Sequence, residues 1–293
     1  MCKTDNGVKG RGMIVDGKIR LLQRKACVLR KHIVRMVRAS KSGHLGGSCS
    51  CADIVTALYF SEMNVESSNP VKPDRDRLIL SKGHSALAQY AALAELGYFP
   101  LDELDRIKRI GAVLQGHPDL TKTPGIEANT GSLGQGLSIA NGMALAARLD
   151  GMQYRIYVIL GDGEINEGQV WEAAMFAAFH KLDLVVAILD KNGLQGMGRT
   201  KDSLDTTPLG DKWRSFGWNV IEIDGHDMEQ VLSALGQAKH RHGKPTIIIA
   251  ETIKGKGISF AENNVGYHNV AITQEQYDTA IRELDLALAE LPS

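Results

Sequence analysis

The spacing of apolar residues changes along the chain, and the changes mark out its elements. Over residues 17–40 the apolar positions Leu21, Leu22, Ala26, Leu29, Ile33, Met36 and Val37 recur at helical spacing, with basic residues on the other face. This predicts an amphipathic helix with Gly43 as its stop. Residues 53–60 read as a second helix. Leu78-Ile79-Leu80, after a loop over 69–77 that holds Pro70 and Pro73, reads as a short buried strand, and a helix over 85–96 follows. In the central third, short continuous apolar runs replace the helical period. They occupy residues 154–160 and 184–189, with an alanine-rich helix over 167–181 between them. Two more strands, at 219–223 and 246–250, flank a helix near 229–239. A last helix over 273–291 opens with Thr273-x-x-Gln276, a capping-box pattern. Apolar strands separated by helices imply a doubly wound, mostly parallel α/β sheet covered on both faces. With no repeat, low-complexity stretch or linker in view, the expected organisation is a polar N-terminal tail over residues 1–16 and one α/β domain over 17–293.

Composition narrows the class. The 293 residues carry 34 basic and 34 acidic side chains, so no basic excess points to nucleic acid. A hydrophobic content of 43% supports a packed core rather than disorder. No apolar run reaches the ~18 residues of a membrane span, and the first residues lack a signal core. Cys2, Cys27, Cys49 and Cys51 form no CxxC, which suggests free thiols in a reducing compartment; Cys49-x-Cys51 reads as small residues packed at a helix start. A cytoplasmic protein without nucleic-acid or membrane partners is expected. Glycine is the outlier, at 31 of 293 residues, and its clusters direct attention to particular turns.

In doubly wound folds, ligands sit beyond the carboxyl ends of the strands. Asp162, in Gly161-Asp162-Gly163, follows one central strand, and Asn192, in Asp190-Lys191-Asn192, follows the next. The gap between them is what one helix and one strand require, so both side chains could reach one ion. A carboxylate, an amide oxygen and a backbone carbonyl suit a hard cation such as Mg²⁺ or Ca²⁺. Gly163 admits a phosphate to the backbone, and the following helix offers amide donors. Alone, Gly-Asp-Gly could be a plain strand-to-helix turn; Asn192 at the matching strand end tips the reading toward a site.

Three histidines stand in similar glycine strings: His44 in Ser42-Gly43-His44-Leu45-Gly46-Gly47, His84 in Lys82-Gly83-His84-Ser85, and His117 in Gln115-Gly116-His117-Pro118. Each could be a turn histidine bonded to backbone. Together they suggest neutral imidazoles that bind hydroxyls and move protons. His32, His180, His240 and His242 read as surface or core residues, and His226 as a turn. Two more glycine strings complete the set. Residues 129–136 (NTGSLGQG) precede a helix over 137–148, and residues 252–257 (TIKGKG) follow the last strand and could place lysines near an anion.

These strings, in this order, resemble the N-terminal half of transketolases, which depend on thiamine diphosphate, and the resemblance runs from about Gly17 to His268. It implies that Asp162, Asn192 and the Leu194 carbonyl ligate Mg²⁺ (or Ca²⁺ or Mn²⁺). It places His84, Gly163, Lys254 and His268 at the cofactor's diphosphate or its surroundings, Gly131 and Leu133 at its rings, and Gly116 nearby. His44, His117 and His268 would bind substrate hydroxyls and assist proton transfer, and Glu167 resembles a family glutamate at the subunit interface. The implied activity is transfer of a two-carbon ketol unit from a ketose phosphate to an aldose phosphate. The chain departs from the family pattern in three places: Leu45 after His44, Asn269 after His268, and the looser residues after Asn192. Family members continue into a pyrimidine-binding domain and a further C-terminal domain. The resemblance therefore implies a split enzyme, in which a separate partner polypeptide carries those domains and the working form is a heterotetramer. The nearest alternative is the α subunit of a thiamine diphosphate-dependent 2-oxo acid dehydrogenase, against which the histidine strings argue. A non-catalytic scaffold would have lost ligands that are present here, and a nicotinamide-binding protein would need a GxGxxG after a strand.

Overall fold

The computed structural model describes residues 6–240 and 243–291, with side chains from Asp16 onward. Cys2, His242 and the first five residues of the expected tail lie outside the described residues. In chain order the helices are α1 (Asn6–Ser40), α2 (Leu45–Ser50), α3 (Ala52–Ala57), α4 (Ala86–Glu95), α5 (Gly136–Leu149), α6 (Gly168–Phe179), α7 (Thr200–Ser203), α8 (Leu209–Ser215), α9 (Met228–Ala238) and α10 (Gln274–Glu290). The strands are β1 (Arg77–Leu80), β2 (Ile156–Gly161), β3 (Val185–Lys191), β4 (Leu194–Gln195), β5 (Gly198–Arg199), β6 (Asn219–Asp224) and β7 (Thr246–Glu251). Five of them form one parallel sheet in the order β1-β2-β3-β7-β6, and β4 and β5 form a small antiparallel hairpin.

Four of the five strands are buried because they are apolar on both faces, while the edge strand β6 is partly exposed. Tyr157, Ile159, Val186, Ile188 and Ile248 face one core with α1, α3, α4 and α9; Val158, Leu160, Val185, Ala187 and Ile249 face a second with α5, α6 and α8. This is the doubly wound sheet expected from the sequence. The β2→β3 and β3→β6 connections cross over the α6 and α8 layer, whereas β6→β7, which steps back, crosses over α9. Reversing face together with direction keeps one hand throughout. The chain thus leaves β2 and β3 toward one layer and β1 toward the other, which opens a crevice at the carboxyl ends.

Local details correct the sequence reading at several points. The first helix begins at Asn6, and it ends at Ser40 because Lys41 takes a left-handed backbone (φ 55°), so Gly43 is not its stop. Gly43 instead pairs with Val270 through both backbone hydrogen bonds, at 2.9 and 3.0 Å, and a Cβ there would meet Val37 Cγ2 at 2.9 Å. The second helix is two short ones, α2 and α3, continued by a π-helical turn over Leu58–Glu62. The β4–β5 hairpin, α7 and α8 have no counterpart in the elements expected from the sequence. The capping box of α10 is formed in both directions between Thr273 and Gln276.

Candidate functional site

A cleft of about 320 Å³ opens at the carboxyl ends of β2 and β3, lined also by the turns after β1 and β7. It gathers His44, His84, Gly131, Leu133, Asp162, Gly163, Asn192, Leu194, Lys254 and His268 from across the sequence. Three expected residues lie outside it. His117 is exposed at the mouth, its ring against Gly131, where a Cβ would meet His117 Cδ2 at 3.1 Å. Gly116 packs on the Lys108 stem, and Glu167 is exposed just before α6, beside Gly134.

At the floor, Asp162 is 5% exposed; its Oδ1 accepts the Gly163 amide proton (2.9 Å) and its Oδ2 that of Gly193 (2.5 Å). Burial, with Asp190 nearby, pushes its carboxyl up to about 6. A divalent cation would relieve that strain on the charged form. Asn192 donates from Nδ2 to Asp190 (3.2 Å) and Ser50 (3.4 Å), so its Oδ1 is turned away from them and accepts from the Leu194 amide at 3.1 Å. Among the described residues no group of three or more His, Cys, Asp or Glu side chains is arranged to hold a metal ion. The candidate donors from the sequence, one carboxylate, one amide oxygen and one carbonyl, would suit a hard, oxygen-bound ion and not zinc.

Lys254, 2% exposed, bonds only to neutral acceptors in these contacts: the Leu194 carbonyl and His268 Nδ1, both at 3.0 Å. Burial, with Lys82 adding to it, lowers its ammonium to about 8. A buried ammonium facing a cleft on neutral partners suits an anionic ligand such as a diphosphate. Deeper still, Lys82 donates to Asp190 (2.5 Å) and to the Gly47 carbonyl (2.7 Å). Asp190 also accepts from Ser50 (2.5 Å) and Thr252. Glu164, 2% exposed, accepts the Gly134 and Gly161 amides at 2.9 Å each and the Ser81 hydroxyl, which ties the 129–136 turn to the end of β2. Lys82, Asp190 and Glu164 sit inside or beside the strings singled out from the sequence, yet nothing local marks them as the support of the site.

On the other side of the cleft the histidine rings converge. His44 lies 5.0 Å from His84 and 5.3 Å from His268, and His84 lies 5.2 Å from His268, centroid to centroid. His117 is 6.2 Å from His44. Burial, with neighbouring positive charge, lowers His44 and His268 to about 4 and His84 to about 2. Burial and Lys108 lower His117 as well. The rings are therefore neutral near pH 7 and can both donate and accept, as polyhydroxylated ligands require. His226, expected to be a plain turn residue, is bonded on both ring nitrogens: Nδ1 is 2.7 Å from Asp53, and Nε2 accepts the Ile253 amide at 2.8 Å.

Comparison with known proteins gives the site its relatives. A family profile described as "Transketolase, thiamine diphosphate binding domain" matches residues 22–288. A 6-deoxy-6-sulfo-D-fructose transketolase subunit of a Clostridium species (strain MSTE9) is 48% identical over 264 residues, which cover 90% of this chain and 96% of the relative. One of the subunits of the apulose-4-phosphate transketolase of Phocaeicola vulgatus is 41% identical over 262 residues, 89% of this chain and 93% of the relative. Human transketolase is 40% identical over 268 residues, 91% of this chain but 42% of its own length. Among solved structures, a transketolase from Leishmania mexicana superposes with a TM-score of 0.85 at 32% identity, covering 90% of this chain and 41% of that one.

Proposed function

This chain belongs to the transketolase family and carries its thiamine diphosphate-binding domain; from that premise we propose how its residues divide the work of a two-subunit enzyme. It is the N-terminal subunit of a split transketolase, a thiamine diphosphate-dependent transferase. The carrying observation is that relatives named as transketolase subunits are matched over 93–96% of their own length. The reading as a 2-oxo acid dehydrogenase subunit is not favoured by these relatives.

The cleft residues suit the cofactor. Asp162, Asn192 and the Leu194 carbonyl would hold Mg²⁺ or another hard divalent ion, and Lys254, His84 and the Gly163 amide would meet the diphosphate. Gly131 and Leu133 would face its rings. The bound cofactor supplies the carbanion chemistry by which a two-carbon ketol unit is transferred. The protein's own part is to hold and protonate. His44, His117 and His268, neutral at working pH, would bind sugar hydroxyls and carry protons to and from the substrate oxygens. The burial of the floor excludes water and strengthens each polar contact with the ligand.

The substrate class we propose is a ketose phosphate donor with an aldose phosphate acceptor. The relatives' names specify different sugars, so the choice among them is not set by the shared floor of the cleft. The partner would supply the pyrimidine-binding and C-terminal domains, in a heterotetramer. Glu167 would face it, and so would the exposed apolar residues of α6, where Met175, Phe176 and Phe179 are 50%, 41% and 81% exposed. No described helix is long and apolar enough to cross a membrane, and a cytoplasmic location is proposed. The test is reconstitution. The chain mixed with its partner, Mg²⁺ and thiamine diphosphate should transfer ketol units between sugar phosphates, and the chain alone should not. Full turnover by the chain alone would overturn the split arrangement.

A further inference from the structure

The turn after β7 carries Lys254, and its backbone is held from the neighbouring turn between β6 and α9. His226 Nε2 accepts the amide proton of Ile253 at 2.8 Å. That nitrogen must therefore be unprotonated, which leaves the proton on Nδ1, 2.7 Å from Asp53 Oδ2. Asp53 can take it because Arg30 binds both of its oxygens, at 3.2 and 2.5 Å, and also the Cys49 carbonyl at 3.2 Å. Burial alone would raise the Asp53 carboxyl, yet the Arg30 guanidinium and the His226 bond hold it at about 2. A chain of bonds thus runs from α1 through α3 and the β6–α9 turn to the peptide just before Lys254.

The surroundings leave this peptide little freedom by any other route. Gly225 donates to the Glu251 carbonyl at 2.7 Å, and a Cβ on Gly225 would meet Thr252 Cγ2 at 2.6 Å. On the far side, Gly255 donates to the Gly46 carbonyl at 3.0 Å, and a Cβ on Gly46 would meet Lys254 Cγ at 2.9 Å. Lys254 is thereby directed at the Leu194 carbonyl and His268, on the cleft.

We propose that His226 is a positioning residue for the cofactor site, which fixes the Ile253 peptide and so the point at which Lys254 presents its ammonium to a diphosphate. This rests on the reading of Lys254 as a diphosphate contact. Two substitutions separate the roles of the two ring nitrogens. His226→Asn keeps a donor near Nδ1 for Asp53 but withdraws the acceptor from Ile253. His226→Gln places its amide oxygen near the position of Nε2 and keeps that acceptor.

The experiment titrates thiamine diphosphate with Mg²⁺ into the assembled two-subunit enzyme, followed by protein fluorescence, and then measures kcat at saturating cofactor. His226→Asn should weaken cofactor affinity about three- to tenfold, the worth of one backbone hydrogen bond, and His226→Gln should stay within about twofold of the parent. At saturating cofactor the kcat of His226→Asn should recover to that of the parent. In a Lys254→Ala background the Asn substitution should cost nothing further, since both changes act through one contact. Equal losses in the Asn and Gln variants, additive losses with Lys254→Ala, or a kcat that stays low at saturation would overturn the positioning role. Unchanged affinity in Lys254→Ala would instead overturn the reading of Lys254 itself.

Discussion

Replacing Asp190 with Asn should loosen the floor of the cleft while leaving its mouth in place. Asp190 is 0% exposed and takes bonds from Lys82, Ser50, Thr252 and Asn192, while Lys82, 2% exposed, also donates to the Gly47 carbonyl. The substitution keeps the volume and removes the charge, so an ammonium is left buried opposite an amide. Removing one partner of such a pair costs about 3–5 kcal/mol. Against a total stability of about 5–15 kcal/mol this is a large share. At roughly 2–4 °C per kcal/mol for a large domain, the melting temperature should fall by about 6–20 °C. The double variant Lys82→Met with Asp190→Asn removes both charges and should recover most of the loss, because a buried pair is often replaceable by uncharged groups at little net cost.

The pH dependence of that pair follows from its two shifts. Burial alone would raise the Asp190 carboxyl, but Lys82 holds it below its ordinary value. Its contribution is therefore complete above about pH 4, the unfolded value, and is lost as pH falls further. Burial alone would lower Lys82, but Asp190 holds it above its ordinary value. That contribution is complete below about pH 10.4 and is lost only as pH rises past it. The pair's contribution to the parent's stability should therefore be flat from about pH 5 to 9, whereas in Asp190→Asn the unpaired Lys82 is lowered by burial and the loss should shrink as pH rises. Urea unfolding monitored by tryptophan fluorescence measures it, since Trp213 and Trp218 are buried in the core on the α6 side of the sheet. A loss below about 1 kcal/mol, or a double variant as unstable as the single, would refute the reasoning.

Two further outcomes are expected. Asp162→Ala should abolish Mg²⁺-dependent cofactor binding in the assembled enzyme, and titration showing unchanged affinity would remove Asp162 from the metal site. His44 and His268, lowered to about 4 by burial, should stay neutral at pH 5.5 by imidazole ¹⁵N NMR. The unfolded chain takes up their protons first as pH falls from about 6.5, so stability should decline below that value, and ring titration near 6.5 would contradict it.

What could be read from the sequence divides along a physical line. The strands were legible because a sheet covered on both faces needs uninterrupted apolar runs, and residues 184–189 supply one for β3 without help from any neighbour. The proposed ligand positions could be brought together for a related reason. Asp162 and Asn192 follow directly from strand ends, so once two runs are taken as adjacent parallel strands, their next residues must meet, and the register pairs Gly161 with Asp190. The helix stop at Lys41 was hidden because a lysine in a left-handed conformation has no local signature, whereas Gly43 two residues on has an obvious one. The β4–β5 hairpin is two residues a side, too short for any period.

The supporting network was hidden for a deeper reason. Lys82 and Asp190 are 108 positions apart, and His226 and Asp53 are 173. Each is an ordinary turn, strand-end or helix residue by itself, and acquires its meaning only from a partner that the fold delivers. A ligand that points into a cleft can be guessed from the end of one strand, but the group that aims it comes from another element. Sequence strings therefore locate this site well and explain its rigidity poorly. The same asymmetry makes His226 informative: its neighbours Gly225 and Asp227 describe a turn, and only the Ile253 amide at 2.8 Å ties it to the turn that carries Lys254.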